Sequence, residues 1–339
     1  MKQRLIPFVG VCVALMLLCS ALVRTSSSER VQETGATKLD QYPADIVVTV
    51  LGSGTPAPSA TQFGPSILVQ AANQNLIFDC GRGCTARLAQ VDPKLIGKVD
   101  RLFISHLHSD HIVGIPDLWL NGWTQGRLQP LKVFGPTGSR DMMQHFRRAF
   151  EFDIDIRFSH NAPGSLEGLV DDILELSETG VIYEQDGLEV TAFLVDHSVI
   201  KPAWGFRVDY NGRSVMISGD TRPTENLYRY GKNADLILQE VMSPALIEYL
   251  NTLFSEKQAA WIVATHTTAE QAADIFAQSE PGLAVYYHTR NDGQFAQSLI
   301  EKTREGYSGP LAISHDLFQI RVGEEITTHD LRLEAEISR

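Results

Sequence analysis

An α+β protein of four layers, two β-sheets packed face to face with helices outside, is the fold this sequence predicts. Three observations predict it. From Asp45 onward the chain is a succession of short apolar runs separated by Gly, Pro and Asn. Some runs are joined by tight-turn dipeptides such as Asn211-Gly212, a hairpin signal, while others alternate with helical stretches. The 339 residues are 43% apolar, 21% charged and 8% aromatic, enough to fill a sizeable core and unlike a disordered or fibrous chain.

Along the chain, strands are expected at residues 46–51, 66–70 and 76–79, with Gly52-Ser53-Gly54-Thr55-Pro56 a turn-rich loop after the first. Further strands are expected at 101–105, 132–134, 188–194, 204–210, 214–218, 236–240 and 284–287. Helices are expected at 85–89, 140–150, 245–250, 268–279 and 294–301. No internal repeat or low-complexity tract interrupts this pattern.

The first residues stand apart. A basic head (Lys2, Arg4) precedes nineteen uncharged residues, 5–23, and then Arg24 and Thr25-Ser26-Ser27-Ser28. That is the layout of an export signal, so residues 1–28 are expected to send the chain to the periplasm or outside the cell. The same nineteen residues are just long enough to stay as an anchor in the inner membrane. Leu17 and Leu18 before Cys19 argue against a lipoprotein. Residues 29–44 are polar and without period, a linker, and residues 45–339 form one folded domain.

Lys and Arg number 29 against 41 Asp and Glu, a net charge of −12 that becomes −15 once residues 1–28 are removed. So acidic a surface suits a polyanion poorly, because phosphate neutralisation supplies most nucleic-acid affinity. Cys12 and Cys19 lie in the leading segment. Cys80 and Cys84, in Asp79-Cys80-Gly81-Arg82-Gly83-Cys84, are too few for a zinc site and are either a short-loop disulfide or thiols packed near a loop.

The residues that carry chemistry begin with Ser105-His106-Leu107-His108-Ser109-Asp110-His111. Three imidazoles and a carboxylate follow directly on the apolar run Leu102-Phe103-Ile104. Imidazole and carboxylate suit a divalent cation such as zinc, and a strand end can aim alternate side chains at one centre and the next pair at a second.

The run His106-x-His108-x-Asp110-His111 resembles the signature of the metallo-β-lactamase fold, an αββα sandwich with a dinuclear metal site between its sheets. Other motifs follow in that family's order. Asp79 after Leu76-Ile77-Phe78 resembles the aspartate that supports the metal loop, and His197 in Val195-Asp196-His197 resembles the third motif. Asp220 in Ser218-Gly219-Asp220-Thr221 resembles the bridging aspartate, and His288 after Val285-Tyr286-Tyr287 the last ligand. The resemblance implies two Zn²⁺ per chain. One would be held by His106, His108 and His197, the other by Asp110, His111 and His288, with Asp220 shared. His145, His160, His315 and His329 sit in contexts that call for surface or structural roles.

His266, in Ala264-Thr265-His266-Thr267-Thr268, is similar to the His-Ser-Thr motif of the ribonuclease Z branch, and Glu240 to its upstream partner. Thr267 and Glu270 read as a capping box, which puts His266 just before a helix N-terminus, an end that favours anions. The resemblance therefore implies Asp110, His266 and Glu240 as the catalytic residues. Hydroxide shared by the cations would attack the ester and His266 would protonate the leaving oxygen. Two Zn²⁺, two aspartates and a hydroxide sum to +1, so the pocket is expected to draw in a small anion.

Ribonuclease Z carries a long tRNA-gripping arm between its third and fourth motifs, but His197 and Asp220 are only 23 residues apart. The text around His108-Ser109-Asp110-His111, Pro116-Asp117-Leu118-Trp119 and Gly126-Arg127 is similar to the exported, arm-less branch that includes arylsulfatase-type enzymes. The expectation is thus an exported dinuclear zinc hydrolase of small anionic esters, arylsulfatase-like. A phosphodiesterase of the ribonuclease Z or cyclic-nucleotide kind is the alternative, and a non-catalytic metal-binding protein a third reading. Expected partners are the ester, no nucleic acid, and a membrane only if residues 5–23 are retained; a homodimer is left open. Trp123 and Arg127 either line the pocket or are a core Trp and a surface Arg, and neither is counted as catalytic.

Overall fold

A computed structural model of the protein describes residues 45–160 and 165–333. The expected leading segment (1–28) and linker (29–44) lie outside the described residues. The first sheet collects β1 (Ile46–Gly52), β2 (Ser66–Ala71), β3 (Gln74–Phe78), β4 (Arg101–Phe103), β5 (Leu131–Gly135) and β6 (Asp171–Glu175). The second is built from β7 (Gly180–Gln185), β8 (Leu188–His197), β9 (Ile200–Tyr210), β10 (Arg213–Ile217), β11 (Leu236–Glu240), β12 (Leu283–Tyr287) and β13 (Leu311–Ile313). The chain then returns to the first sheet as β14 (Phe318–Val322) and β15 (Ile326–Asp330), giving the orders β15-β14-β1-β2-β3-β4-β5-β6 and β13-β12-β11-β10-β9-β8-β7.

Most strands of the first half read as unbroken apolar runs because both faces of each sheet are buried. Ile46, Val48 and Val50 of β1 join Phe78, Phe103, Trp204 and Phe206 in the core between the sheets. Phe103 stacks on both Phe78 and Phe134, each at 4.7 Å between ring centroids. Leu68, Ile77 and Leu102 point the other way, under helices α1 (Cys84–Val91), α2 (Ser109–Ile112), α3 (Ile115–Thr124), α4 (Ser139–Ala149), α5 (Glu151–Ser159) and α6 (Leu166–Leu169). Over the second sheet, α7 (Glu225–Gly231), α10 (Ala269–Ser279) and α11 (Gly293–Arg304) bury Leu227, Phe276 and Leu299 against Met216, Ile237 and Tyr286; α8 (Pro244–Leu253) and α9 (Glu256–Val263) precede α10 in the chain. The result is the expected αββα sandwich. Among the described residues no helix is long and apolar enough to cross a membrane.

Several elements differ from expectation. The short strands β6, β7, β13, β14 and β15 were not foreseen; β6, β7, β13 and β15 are sheet edges, where polar residues such as Asp171, Asp172 and Glu175 interrupt the apolar pattern. Helix α3 hides behind Pro116 and Gly122, yet Pro falls at its first turn, where a missing N–H costs nothing. Helices α2, α5, α6, α7 and α9 were also missed. Strand β4 ends at Phe103 rather than 105, because the Ser105 N–H turns to the Asp79 carboxylate instead of a neighbouring strand. The Asn211-Gly212 turn forms as expected, with both residues at positive φ, 49° and 75°.

Trp123 and Arg127 are both buried, which removes the expectation of a surface arginine. Arg127 Nη2 donates to the carbonyls of Trp119 (2.8 Å) and Gly168 (2.9 Å), tying α3 to α6, and burial lowers the guanidinium to about 10. Arg127→Met would remove the donor to both carbonyls and with it the tie between α3 and α6. A loss of about 3 kcal/mol of stability is expected, since hydrogen bonds to charged groups contribute roughly 1.5–3 kcal/mol each. A urea unfolding curve checks it, and an unchanged midpoint would contradict the tying role.

Candidate metal centre

The site forms where strand ends gather. β8 and β10 each run antiparallel to β9, so they share a direction, and β11 and β12 run parallel to β10. Their C-terminal ends therefore lie on one side of the second sheet. These ends carry His197, Asp220, Glu240 and His288. From the first sheet, the chain leaving β4 brings His106 and His108, and the single turn of α2 adds Asp110 and His111.

All seven residues expected as metal ligands meet here, in two groups. His106, His108, His197 and Asp220 form one; Asp110, His111 and His288 form the other, and within each the donor atoms lie within 4.8 Å of one another. In the first, His106 Nε2 and His108 Nδ1 are 2.9 Å apart, and His197 Nε2 is 3.3 Å from His108 Nδ1. In the second, Asp110 Oδ2 is 3.7 Å from both His111 Nε2 and His288 Nε2. Asp220 Oδ2 serves both groups, at 3.2 Å from His288 Nε2, 3.4 Å from His111 Nε2 and 3.8 Å from His106 Nε2.

The donor set fits divalent cations. Asp110 Oδ2, His111 Nε2 and Asp220 Oδ1 are buried yet make no hydrogen bond among the described residues, an expensive state for polar atoms unless something else occupies their lone pairs. Each imidazole is also turned so that the right nitrogen faces inward. His197 Nδ1 donates to Thr265 O (2.9 Å) and His288 Nδ1 to Gly54 O (2.7 Å), which leaves both Nε2 lone pairs directed at the centre. Asp79 accepts from Ser105 N–H (2.8 Å), Ser105 Oγ (2.7 Å) and His111 Nδ1 (2.8 Å), and so supports the metal loop from behind. The fit is tight enough that a Cβ on Gly81 would come within 2.3 Å of the Asp110 carbonyl.

Electrostatics follow from burial and from the carboxylates. Burial pushes His106, His108 and His197 below the usual imidazole value, favouring the neutral form that ligates metal. Burial acts on His111 and His288 in the same sense, but the neighbouring carboxylates, Asp220 foremost with Asp79 beside His111 and Asp110 beside His288, together outweigh it and raise both.

His266 and Glu240 sit at the rim of this cluster. His266 Nδ1 is 3.1 Å from Glu240 Oε2, and the His266 ring centroid is 5.0 Å from that of His197. Glu240 Oε1 accepts from the N–H groups of Thr221 (3.2 Å) and Thr267 (2.9 Å). Burial would depress His266, yet Glu240, by charge and hydrogen bond, with Asp220 behind it, raises it to about 9, which favours the imidazolium. The capping box falls one residue later than expected, on Thr268 and Gln271. Thr267 cannot cap, because its hydroxyl donates to Thr221 O (2.6 Å) and its N–H to Glu240.

Sequence reasoning missed Ser105, Gly54, Thr221 and Thr265 as supports. Three of them act through backbone groups, which leave no residue-type signal. Cys80 and Cys84 are buried free thiols, and Cys84 Sγ accepts from Ser66 Oγ at 3.1 Å. His145 and His160 are exposed, while His315 and His329 lie near Asp330 and Thr327, away from the cluster.

Comparison with known proteins narrows the reading. The family model described as "Anti-Pycsar protein Apyc1" matches residues 46–274. A ribonuclease Z of Mycobacterium avium is 31% identical over 283 residues, spanning 82% of this chain and 98% of that protein. The chain belongs to the Apyc1 family, in the ribonuclease Z branch of the metallo-β-lactamase fold. A ribonuclease Z of Mycolicibacterium gilvum is 32% identical over 246 residues, covering 72% of this chain and 84% of its own. Two solved structures share the fold at a TM-score of 0.61: human tRNase Z, short form (23% identical, covering 82% and 99% of the two chains), and YhfI of Bacillus subtilis (20%, 82% and 99%).

Family membership makes the chain a metal-dependent hydrolase of ester bonds. It also corrects the arylsulfatase-like expectation, since the relatives are named ribonuclease Z. The step that failed was the inference from the missing arm. Nearly all of the Mycobacterium avium protein aligns with 82% of this chain in 283 positions, which leaves no room for a long insertion there either. Absence of an arm therefore does not separate this chain from proteins of that name, and the expectation of no nucleic-acid partner loses that support.

Proposed function

We propose that the protein is a metal-dependent phosphodiesterase of nucleotide substrates, of the ribonuclease Z or cyclic-nucleotide kind. The observation that carries this is the His266–Glu240 pair beside the two ligand groups. A phosphodiester has a poor, strongly basic leaving oxygen, and a buried imidazolium held by a carboxylate is the acid such a departure needs. Relatives named ribonuclease Z support the same bond type.

His106, His108 and His197 would hold one cation and Asp110, His111 and His288 the other, with Asp220 between them. Zinc is the metal we propose, on the strength of five imidazoles and two carboxylates. Bound there, the cations supply Lewis acidity at the phosphoryl oxygens and a water acidic enough to be ionised near neutral pH. The chain's own residues do the rest. Asp79 and Ser105 fix the metal loop, and Glu240 fixes His266 through Oε2 while its other oxygen is saturated by two backbone N–H groups. His266 then holds a phosphate oxygen and delivers its proton to the leaving oxygen.

The experiment is a comparison of esters on metal-loaded protein. Turnover of bis(p-nitrophenyl) phosphate at least about 100-fold above p-nitrophenyl sulfate is expected, roughly 2.7 kcal/mol of discrimination. A preference for the sulfate would overturn the reading. Cyclic mononucleotides and a pre-tRNA, run alongside, separate the two kinds of phosphodiesterase. We further propose export directed by residues 1–28, on the basis of the basic head and uncharged run; fractionation of cells making the full chain tests it, and cytoplasmic recovery would refute it.

A further inference from the structure

We propose that Asp316 is the positioning residue for His288 and thereby sets the affinity of one cation site without touching the other. This rests on the reading of two cations above. Asp316 lies on the crossover from β13 to β14, far along the chain from the metal loop, and is 1% exposed. Its carboxylate is surrounded by donors. Oδ1 accepts from the N–H and the hydroxyl of Ser53, both at 3.0 Å. Oδ2 accepts from Phe63 N–H (2.8 Å) and faces the Arg87 guanidinium, with Nε at 3.1 Å and Nη2 at 3.0 Å.

Ser53 and Phe63 are the two ends of one loop, so a single carboxylate pins both. Between them, Gly54 N–H donates to Phe63 O (2.7 Å), which closes the loop on itself. The loop in turn grips the end of β12. Gly54 O accepts from His288 Nδ1 at 2.7 Å, Ser53 O accepts from Thr289 N–H at 3.1 Å, and Gln62 Nε2 donates to Thr289 O at 2.7 Å. His288 itself is held at φ 51°, in the left-handed region that a side-chain-bearing residue adopts only when its surroundings impose it. The Gly54 carbonyl sets which nitrogen of His288 carries the proton and where its Nε2 points. Nothing in this chain of contacts reaches His106, His108 or His197.

Asp316→Asn tests the assignment. The N–H groups of Ser53 and Phe63 and the Arg87 guanidinium can only donate, so on either side the amide nitrogen meets a donor that loses its acceptor, and one loop end is released. Cobalt(II) titration of metal-free protein, followed by visible absorption, reads the two sites without recourse to activity. Wild-type protein is expected to take up two equivalents. The variant is expected to bind the first as the wild type does and the second about 10- to 100-fold more weakly, the usual effect of losing a partner behind a ligand. Equal binding at both sites, or equal weakening of both, would overturn the proposal, the latter being the mark of a carboxylate that serves stability alone. Ser53→Ala, which removes only the hydroxyl that donates to Asp316 and accepts from Gln62 Nε2, should show the same one-sided loss in smaller degree and decides the matter should the Asn variant not fold. Wild-type protein that binds fewer than two equivalents would instead defeat the dinuclear reading itself.

Discussion

Asp220→Ala is expected to lower hydrolysis of any phosphodiester by about 10³-fold or more and to empty both cation sites. The size follows from the several kcal/mol that bound cations contribute to stabilising transition-state charge, at about 1.36 kcal/mol per factor of ten. Its Oδ2 lies within 4.0 Å of imidazole nitrogens from both groups, so no other single carboxylate oxygen touches as much of the site. Removing it also takes away the foremost charge that raises His111 and His288, while Asp79 and the Gly54 carbonyl still hold their Nδ1 atoms. Elemental analysis of dialysed protein together with a steady-state assay checks the expectation. Full metal content with wild-type turnover would contradict the shared-ligand assignment.

His266→Ala is the second large effect, with a different signature. The variant should retain its metals, because His266 belongs to neither ligand group, and lose about 10²- to 10⁴-fold in rate, the range for a positioned acid. The loss should grow with the basicity of the leaving group: large for an alkyl or nucleoside oxygen, small for p-nitrophenolate, which departs without help. A uniform loss across leaving groups would argue against the acid role. Glu240→Gln should act through His266. Burial alone depresses the ring and Glu240 is what raises it to about 9. An acid must be protonated, so activity falls as pH rises through its value. Once the carboxylate is replaced by a neutral amide the imidazolium is no longer supported, and the basic limb of kcat/KM should move to lower pH. A limb that stays in place would assign it to another group.

Much of this centre was legible before any coordinates. His106, His108, Asp110 and His111 are four donors in six residues after an apolar strand, and chemistry of that density has few other uses. His197, Asp220 and His288 became legible through their order along the chain rather than through local text, since each is a single residue at a strand end. Glu240 and His266 are 26 residues apart in sequence and 3.1 Å apart in space, a pairing that no spacing rule would have produced. The capping box was misplaced by one residue because Thr267 and Thr268 are interchangeable in sequence. Only burial tells which hydroxyl is taken by Thr221 and which is left to cap.

The substrate expectation failed for a reason of another kind. Charge and the missing arm describe how a large substrate is gripped, whereas the bond broken depends on the acid and the cations, and both are the same whether or not an arm is present.

What the sequence by itself determined is the inventory: apolar runs long enough for two sheets buried on both faces, and a cluster of imidazoles and carboxylates suited to divalent cations. Periodicity and residue type are local properties, and they survive in one dimension. What only the tertiary structure decided is convergence: that β4, β8, β10, β11 and β12 end on one side, that backbone carbonyls of Gly54 and Thr265 choose the protonated nitrogen of His288 and His197, and that Asp316 ties the Gly54 loop in place. Those contacts join residues far apart in the chain or use main-chain atoms common to every residue, so their information resides in packing alone.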